Sequence, residues 1–210
     1  MTFGLITEGP TDQVVLRNIL GRYFKPPVYI RPVQPNPDST DEADHFGSWV
    51  KVLEYCKSAD MTTALQIFDY VIIQLDTDVC EEYGVQKREG DREITDDEIV
   101  EKAKAVIIKN IGCEIYAQFS KKIIFAISHD SIECWLLPLY FTNNSRTKTF
   151  NCCDTLNQEL RKRGFTIDCN KKRALEYQKI CKEIRNKTIL DNISLHNNSF
   201  NQFIQRLATL

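Results

Sequence analysis

Short apolar segments alternate with amphipathic segments along the first two thirds of the chain. Residues 3–7, 70–75 and 121–128 are strand-like apolar runs, and residues 26–39 form an extended segment interrupted by prolines. The stretches between them, such as residues 12–24, carry apolar side chains at helical spacing. The resulting order, β-α-β-α-β-α-β-α, predicts a mainly parallel sheet with helices on both faces, because parallel strands need long crossover connections.

The pattern changes at about residue 143. From there the sequence consists of polar loops and helical stretches, which we expect at 151–164, 172–187 and 199–209. We therefore expect an α/β fold in residues 1–142, with a Rossmann-like, four-stranded sheet flanked by helices. Residues 143–210 should form a basic helical extension that packs on the same domain.

The composition is typical of a soluble globular protein, since 42% of the residues are apolar and 27% are charged. No apolar run approaches the roughly 20 residues needed to span a bilayer, and residues 1–10 lack the basic region of a signal peptide. We therefore expect a cytoplasmic protein without a membrane partner.

The sequence contains 8 cysteines and no C-x-x-C pair. In a reducing compartment, such cysteines are expected to be free thiols rather than disulfides. Cys152 and Cys153 could share a zinc site with Cys169 or Cys181, but the missing ligand spacing favours ordinary half-buried thiols.

Acidic residues follow three of the four predicted strands. Glu8 follows the first strand, Asp76 and Asp78 the third, and Asp130 and Glu133 the fourth. Right-handed crossovers place the carboxyl ends of parallel strands along one edge of the sheet, where functional groups of such folds gather. The sequence therefore predicts an acidic cluster at this edge.

Asp12 lies four residues after Glu8, one helical turn into the first helix, and can face the same edge. Converging carboxylates repel one another unless a cation neutralises them, and hard oxygen ligands favour Mg²⁺ or Mn²⁺. Each acid also has a purely structural interpretation. Asp12 could interact favourably with the dipole at the N-terminus of the first helix. Asp76 and Asp78 could be turn residues, and Glu133 could pair with a C-terminal lysine.

Positive charge is concentrated in residues 161–187, which hold ten Lys or Arg and three Asp or Glu, although the whole chain has a net charge of −2. Such an asymmetry is expected where one side of a protein meets a polyanion, but a solvated helix face explains it equally well. The residues predicted to contact nucleic acid are Arg161, Lys162, Arg163, Lys171, Lys172 and Arg173.

The segments "LITEGPTD" and "VIIQLDTD" resemble the Toprim domain, in which a glutamate follows the first strand and a D-x-D motif follows the third. "AISHDSIECWLL" and "NNSFNQFI" make the chain similar to stand-alone Toprim proteins related to the nuclease half of OLD (overcoming lysogenization defect) proteins. The resemblance implies a two-metal nuclease site formed by Glu8, Asp12, Asp76, Asp78, Ser131 or Ser128, Glu133, and Lys171 or Lys172.

The resemblance also implies an activity, hydrolysis of phosphodiester bonds in nucleic acid, with DNA as the expected substrate, by two Mg²⁺ or Mn²⁺ ions. All five acids, Glu8, Asp12, Asp76, Asp78 and Glu133, would hold the metals, and Lys172 would stabilise the transition-state phosphate. His129 could shuttle a proton near the metals, but a structural, hydrogen-bonded histidine is favoured.

Three alternatives stay open at the sequence level. The chain could be a Toprim ribonuclease that processes structured RNA, or a non-catalytic subunit that binds nucleic acid or a partner. It could also be a nuclease that needs other copies of itself or a separate ATPase, since no P-loop motif occurs in the sequence. A role in defence against phage follows from the resemblance alone.

Overall fold

The computed structural model describes residues 1–38 and 47–210 and contains a four-stranded, all-parallel sheet. Its strands are β1 (Thr2–Ile6), β2 (Tyr29–Gln34), β3 (Tyr70–Asp76) and β6 (Ile123–Ser128), and a small antiparallel hairpin is formed by β4 (Arg88–Glu89) and β5 (Arg92–Glu93). The strands of the parallel sheet lie in the order β2-β1-β3-β6, so β1 and β3 are interior strands. Residue 39 of the predicted extended segment lies outside the described residues.

Helices cover both faces of the sheet, as the alternating pattern predicts. Local signals set several of their ends, including Pro10 at the start of α1 and a capping box between Thr95 and Glu98 at the start of α4. The helices of the described chain are α1 (Pro10–Tyr23), α2 (Trp49–Lys57), α3 (Ala59–Ile67), α4 (Asp96–Ile111), α5 (Cys113–Phe119), α6 (Glu133–Leu136), α7 (Cys152–Lys162), α8 (Ala174–Ile180), α9 (Lys187–Ser194) and α10 (Asn198–Leu207).

The side chains of β3 alternate between two hydrophobic cores. Ile72 contributes to one core, whereas Val71 and Ile73 contribute to the other, as the period of two along a strand requires. The first core contains α1 and the helices α7 to α10, and the second contains α2, α3 and α4. Because both faces are covered, β3 is apolar at nearly every position.

The C-terminal region differs in detail from the sequence expectation. The helix expected at 172–187 is shorter, since α8 ends at Ile180 and a 3₁₀ turn at Cys181–Glu183 follows. Helices α5 and α9 and the β4–β5 hairpin were not predicted. Helix α10 packs directly against β6, and α8 packs against α1, so residues from beyond position 143 complete one of the two cores.

The expectation that the cysteines are free thiols is wrong for four of them. Disulfide bonds join Cys134 to Cys152 and Cys153 to Cys169, while Cys56, Cys80, Cys113 and Cys181 are free. The pairs are 18 and 16 residues apart in sequence, and only the packing of α7 against α6 and the following loop brings them together. The zinc site that the sequence disfavoured is also excluded in this state, because the sulfurs of Cys152 and Cys153 are in disulfides.

No helix of the described residues is long and apolar enough to cross a membrane.

Candidate metal centre

A buried side-chain amide links two of the predicted acids at the carboxyl edge of the sheet. Gln74 is fully buried in β3, where its Nε2 donates to Asp76 Oδ1 (2.8 Å) and its Oε1 accepts from the Glu8 backbone N–H (2.9 Å). The backbone N–H of Asp76 donates in turn to Glu8 Oε1 (2.5 Å). Since β1 and β3 are adjacent parallel strands, these bonds hold both carboxylates at one point of the edge.

Asp12 reaches the same edge from the first turn of α1. Its carboxyl group is buried, and its Oδ1 has no hydrogen-bond partner among the described residues. Gly9 gives this side chain room, because a Cβ at position 9 would lie 3.1 Å from Asp12 Oδ2. A buried oxygen without a partner is costly, so Asp12 Oδ1 is an unsatisfied acceptor at this edge.

The three carboxyl groups strongly disfavour their charged forms. Burial, together with the neighbouring acids, raises the pKa of Glu8 to about 8 and the pKa of Asp12 to about 7. Burial and the charges of Glu8 and Asp12 raise the pKa of Asp76 well above its ordinary value. Without a cation, these buried carboxyl groups therefore favour their protonated forms.

Glu133, the first residue of α6, is fully buried and already paired. Its Oε1 lies 2.7 Å from the Lys172 ammonium and accepts a hydrogen bond from the hydroxyl of the buried Tyr177. Burial alone would raise the pKa of Glu133, but Lys172, Tyr177 and Ser131 more than offset it and hold that pKa below its ordinary value. The ion pair that was the structural alternative for Glu133 is thus present, and Lys172 rather than Lys171 forms it.

Asp78 occupies an outer position beside Asp130. The backbone N–H groups of Thr77 and Asp78 both donate to the Asp130 carbonyl (2.9 Å each), and Lys87 Nζ donates to the Asp78 carbonyl (3.0 Å). Asp130 has a left-handed backbone (φ 60°), which aims its carbonyl back at the end of β3. Burial and the nearby Asp78 raise the pKa of Asp130 to about 6, so Asp130 belongs to the acidic edge.

The two candidate serines differ in their surroundings. Ser128 is the last residue of β6 and lies opposite Asp76 in the sheet, with its hydroxyl buried and unbonded to any described residue. Ser131 helps to stabilise the charge of Glu133. His129 Nε2 lies 3.0 Å from Asp96 Oδ1, in keeping with the structural role favoured for it.

The acids share one edge without forming a closed coordination sphere. In residues 1–38 and 47–210, one group of three His, Cys, Asp or Glu residues has potential metal-binding atoms within 4.8 Å of one another. It consists of Asp130, Cys134 and Cys152. Two of these are the sulfurs of a disulfide bond and are not available as thiolates. Binding of one ion by three of the predicted acids therefore requires their side chains to rotate toward it.

The donor set nevertheless fits a hard divalent cation. It consists of carboxylate oxygens, one of them an unpartnered oxygen of Asp12, and Mg²⁺ and Mn²⁺ prefer such ligands. Thiolates and imidazoles, which softer metals prefer, do not take part, since His129 is paired with Asp96 and the nearby Cys134 is in a disulfide.

The predicted nucleic-acid-binding residues do not all have free charges. Lys162 pairs with Glu159, and Arg163 pairs with Glu183 and lies over the Tyr140 ring at 4.6 Å. The side chains of the other three surface cations form no ion pair with the described residues and are exposed: Arg161, Lys171 and Arg173.

Sequence reasoning did not single out Gln74 or Tyr177. A polar residue within the apolar run of β3 was a usable signal for Gln74, because a buried amide requires partners. Tyr177 gives no such signal, since it looks like any apolar position of a helix.

Comparisons of the chain with models of protein families, with curated proteins and with solved structures found no match.

Proposed function

We propose that the chain is a Toprim-type, Mg²⁺- or Mn²⁺-dependent nuclease that hydrolyses phosphodiester bonds of nucleic acid, with DNA as the substrate. The observation that carries the proposal is the convergence of Glu8, Asp12 and Asp76 at the carboxyl edge of a parallel sheet, with pKa values raised by burial and mutual repulsion. Strongly perturbed carboxyl groups in this position of an α/β fold are typical of functional sites.

The balance of charge supports a divalent ion at this edge. Lys172 lowers the pKa of each buried acid, yet its ammonium is bonded to Glu133, and the pKa values of Glu8 and Asp12 stay high. Without a cation, burial and the neighbouring acids disfavour the charged forms of Glu8 and Asp12, and ionisation of these groups costs stability. Cations held by Glu8, Asp12, Asp76 and Asp78 would remove that cost.

The bound ions would supply a nucleophilic hydroxide near neutral pH and an electrostatic clamp on the reacting phosphate. The residues of the chain supply the positioning. Gln74 and the Asp76 backbone fix the carboxylates of Glu8 and Asp76 relative to each other. Glu133, which accepts a hydrogen bond from Tyr177, pairs with the Lys172 ammonium, whose charge also acts on Glu8 and Asp76. There it can stabilise negative charge on a phosphate.

The exposed cations support a polyanionic substrate. Lys171 and Arg173 flank Lys172 in the sequence, and neither side chain forms an ion pair with the described residues. Arg161 at the end of α7 is likewise exposed. Such cations would contact the phosphate backbone without sequence preference, so binding should weaken steeply with salt.

The biological setting rests on the sequence resemblance to OLD-type nucleases. It suggests an anti-phage effector that acts in the cytoplasm, either with further copies of itself or with a separate ATPase.

Cleavage of labelled single- and double-stranded DNA and RNA in Mg²⁺ or Mn²⁺ tests the proposal. Asp76→Asn keeps the oxygen that accepts a hydrogen bond from Gln74 but removes the charge, so the variant should fold. Its cleavage activity should fall by at least about 100-fold, because mutation of a residue that only supports a metal ligand already costs about 10- to 100-fold. Asp191→Ala, an exposed acid on α9, is the matched control and should cleave like wild type.

Equal cleavage by wild type and Asp76→Asn would place the activity elsewhere. Absence of cleavage of every substrate would refute the nuclease proposal and support the non-catalytic alternative.

A further inference from the structure

A cavity of about 510 Å³ opens next to the acidic edge, and the metal centre does not use it. It is lined by Thr77 and Asp130, which follow β3 and β6, and by Lys87, Ile94 and Phe150. The volume is in the range of small-ligand sites, which are about 300–1,000 Å³.

The cavity is rigidly joined to the acidic edge. The Asp130 backbone N–H donates to Thr77 Oγ1 (2.9 Å), and the Asp130 carbonyl accepts from the N–H groups of Thr77 and Asp78. Lys87, which also lines the cavity, donates a hydrogen bond to the carbonyl of Asp78. A group bound in the cavity therefore contacts residues that are hydrogen-bonded to the Asp78 backbone.

The lining suits a flat, partly polar molecule. Ile94 and Ile99 are buried apolar lining residues, whereas Phe150 is 61% exposed and has the Lys148 ammonium 5.9 Å from its ring centroid. His129 and Asp96 add hydrogen-bonding groups at the wall. An exposed aromatic ring beside cations is the arrangement on which unpaired bases stack.

We infer that this cavity binds one unpaired nucleobase of the substrate strand, stacked on Phe150, next to the phosphate that is cleaved. The inference rests on the proposed function for the identity of the ligand. It implies a single-stranded substrate, or a duplex in which the base is turned out of the stack, because a paired base cannot enter the cavity.

Binding of a fluorescein-labelled oligodeoxythymidine in EDTA, followed by fluorescence anisotropy, tests the inference without any cleavage. Phe150→Ala should weaken binding by about 5- to 150-fold, the effect of losing one stacked base, and Phe150→Trp should bind at least as well as wild type. Tyr29→Ala is the matched control, because Tyr29 is also 61% exposed but lies at the opposite end of the sheet, where β2 begins.

A second probe, the same strand with abasic sites, separates base stacking from phosphate contacts. Wild type should bind this strand as weakly as Phe150→Ala binds oligodeoxythymidine, and Phe150→Ala should lose nothing further. Equal binding of both strands by wild type, equal binding by wild type and Phe150→Ala, or no binding at all would overturn the inference.

The outcomes keep the two proposals apart. Loss of binding in Phe150→Ala without any cleavage by wild type would retain the base site and refute the nuclease. Cleavage that depends on Asp76, with binding unaffected in Phe150→Ala, would retain the nuclease and refute the base site.

Discussion

Replacement of Lys172 by methionine removes the ammonium that lies 2.7 Å from the buried Glu133 carboxylate. Methionine keeps much of the aliphatic length of lysine, so the change mainly removes the charge. Glu133 has no exposed surface and would be left with the Tyr177 hydroxyl and Ser131 as its remaining stabilising contacts.

Breaking a buried ion pair by removal of one partner costs about 3–5 kcal/mol. The Lys172 side chain is 30% exposed, so water screens part of the interaction and the lower end, about 3 kcal/mol, is expected. For a chain of 210 residues, this corresponds to a fall in melting temperature of about 6–12 °C. The cost should shrink near pH 5, where Glu133 can take up a proton instead of staying charged.

Urea unfolding at pH 7.5 in EDTA measures the loss without a contribution from bound ions. Lys171→Met is the matched control, since the exposed Lys171 side chain forms no ion pair with the described residues, and its stability should stay within about 0.5 kcal/mol of wild type. Addition of Glu133→Gln to Lys172→Met should recover much of the loss, because no buried charge is then unpaired. A Lys172→Met protein as stable as wild type would refute the account of the Glu133 environment.

Two further predictions concern the acidic edge. The metal-free protein should lose stability as the pH rises from about 5 to about 9. The reason is that Glu8 and Asp12 have pKa values of about 8 and about 7 in the folded protein, above their ordinary values. The stability that their protonated forms contribute is complete below the ordinary pKa and is lost as the pH rises through the folded pKa. Melting curves in EDTA across this range check it, and a melting temperature that rises with pH would contradict it. Gly47→Ala should displace the Glu8 loop, because the new Cβ would lie 1.9 Å from the Glu8 carbonyl oxygen, and should reduce cleavage by about 100-fold. Gly21→Ala, where a Cβ meets nothing within 4 Å, should leave cleavage unchanged, and equal cleavage by the two variants would show that the Glu8 loop tolerates the displacement.

The strands and the position of the acidic edge followed from local sequence patterns. The apolar run of β3 reflects burial on both faces, and the T-x-x-E pattern at Thr95 produces the capping box at the start of α4. Once four strands alternate with helices, right-handed crossovers place their carboxyl ends together. The sequence therefore determined that Glu8 and Asp76 lie at the same edge, because both positions depend on strand ends and chain direction.

The surroundings of those acids were decided by tertiary packing. Lys172 and Tyr177, which contact Glu133, lie 39 and 44 positions after it in the sequence. The Cys153–Cys169 disulfide likewise joins residues that are distant in sequence. Such contacts depend on where α7 and α8 pack against α1 and α6, and helical periodicity gives the buried face of a helix but not its place on the sheet. For this reason the sequence alone determined that Glu8 and Asp76 lie at one edge of the sheet, whereas the tertiary structure decided that Glu133 pairs with Lys172 and that Asp12 Oδ1 has no partner among the described residues.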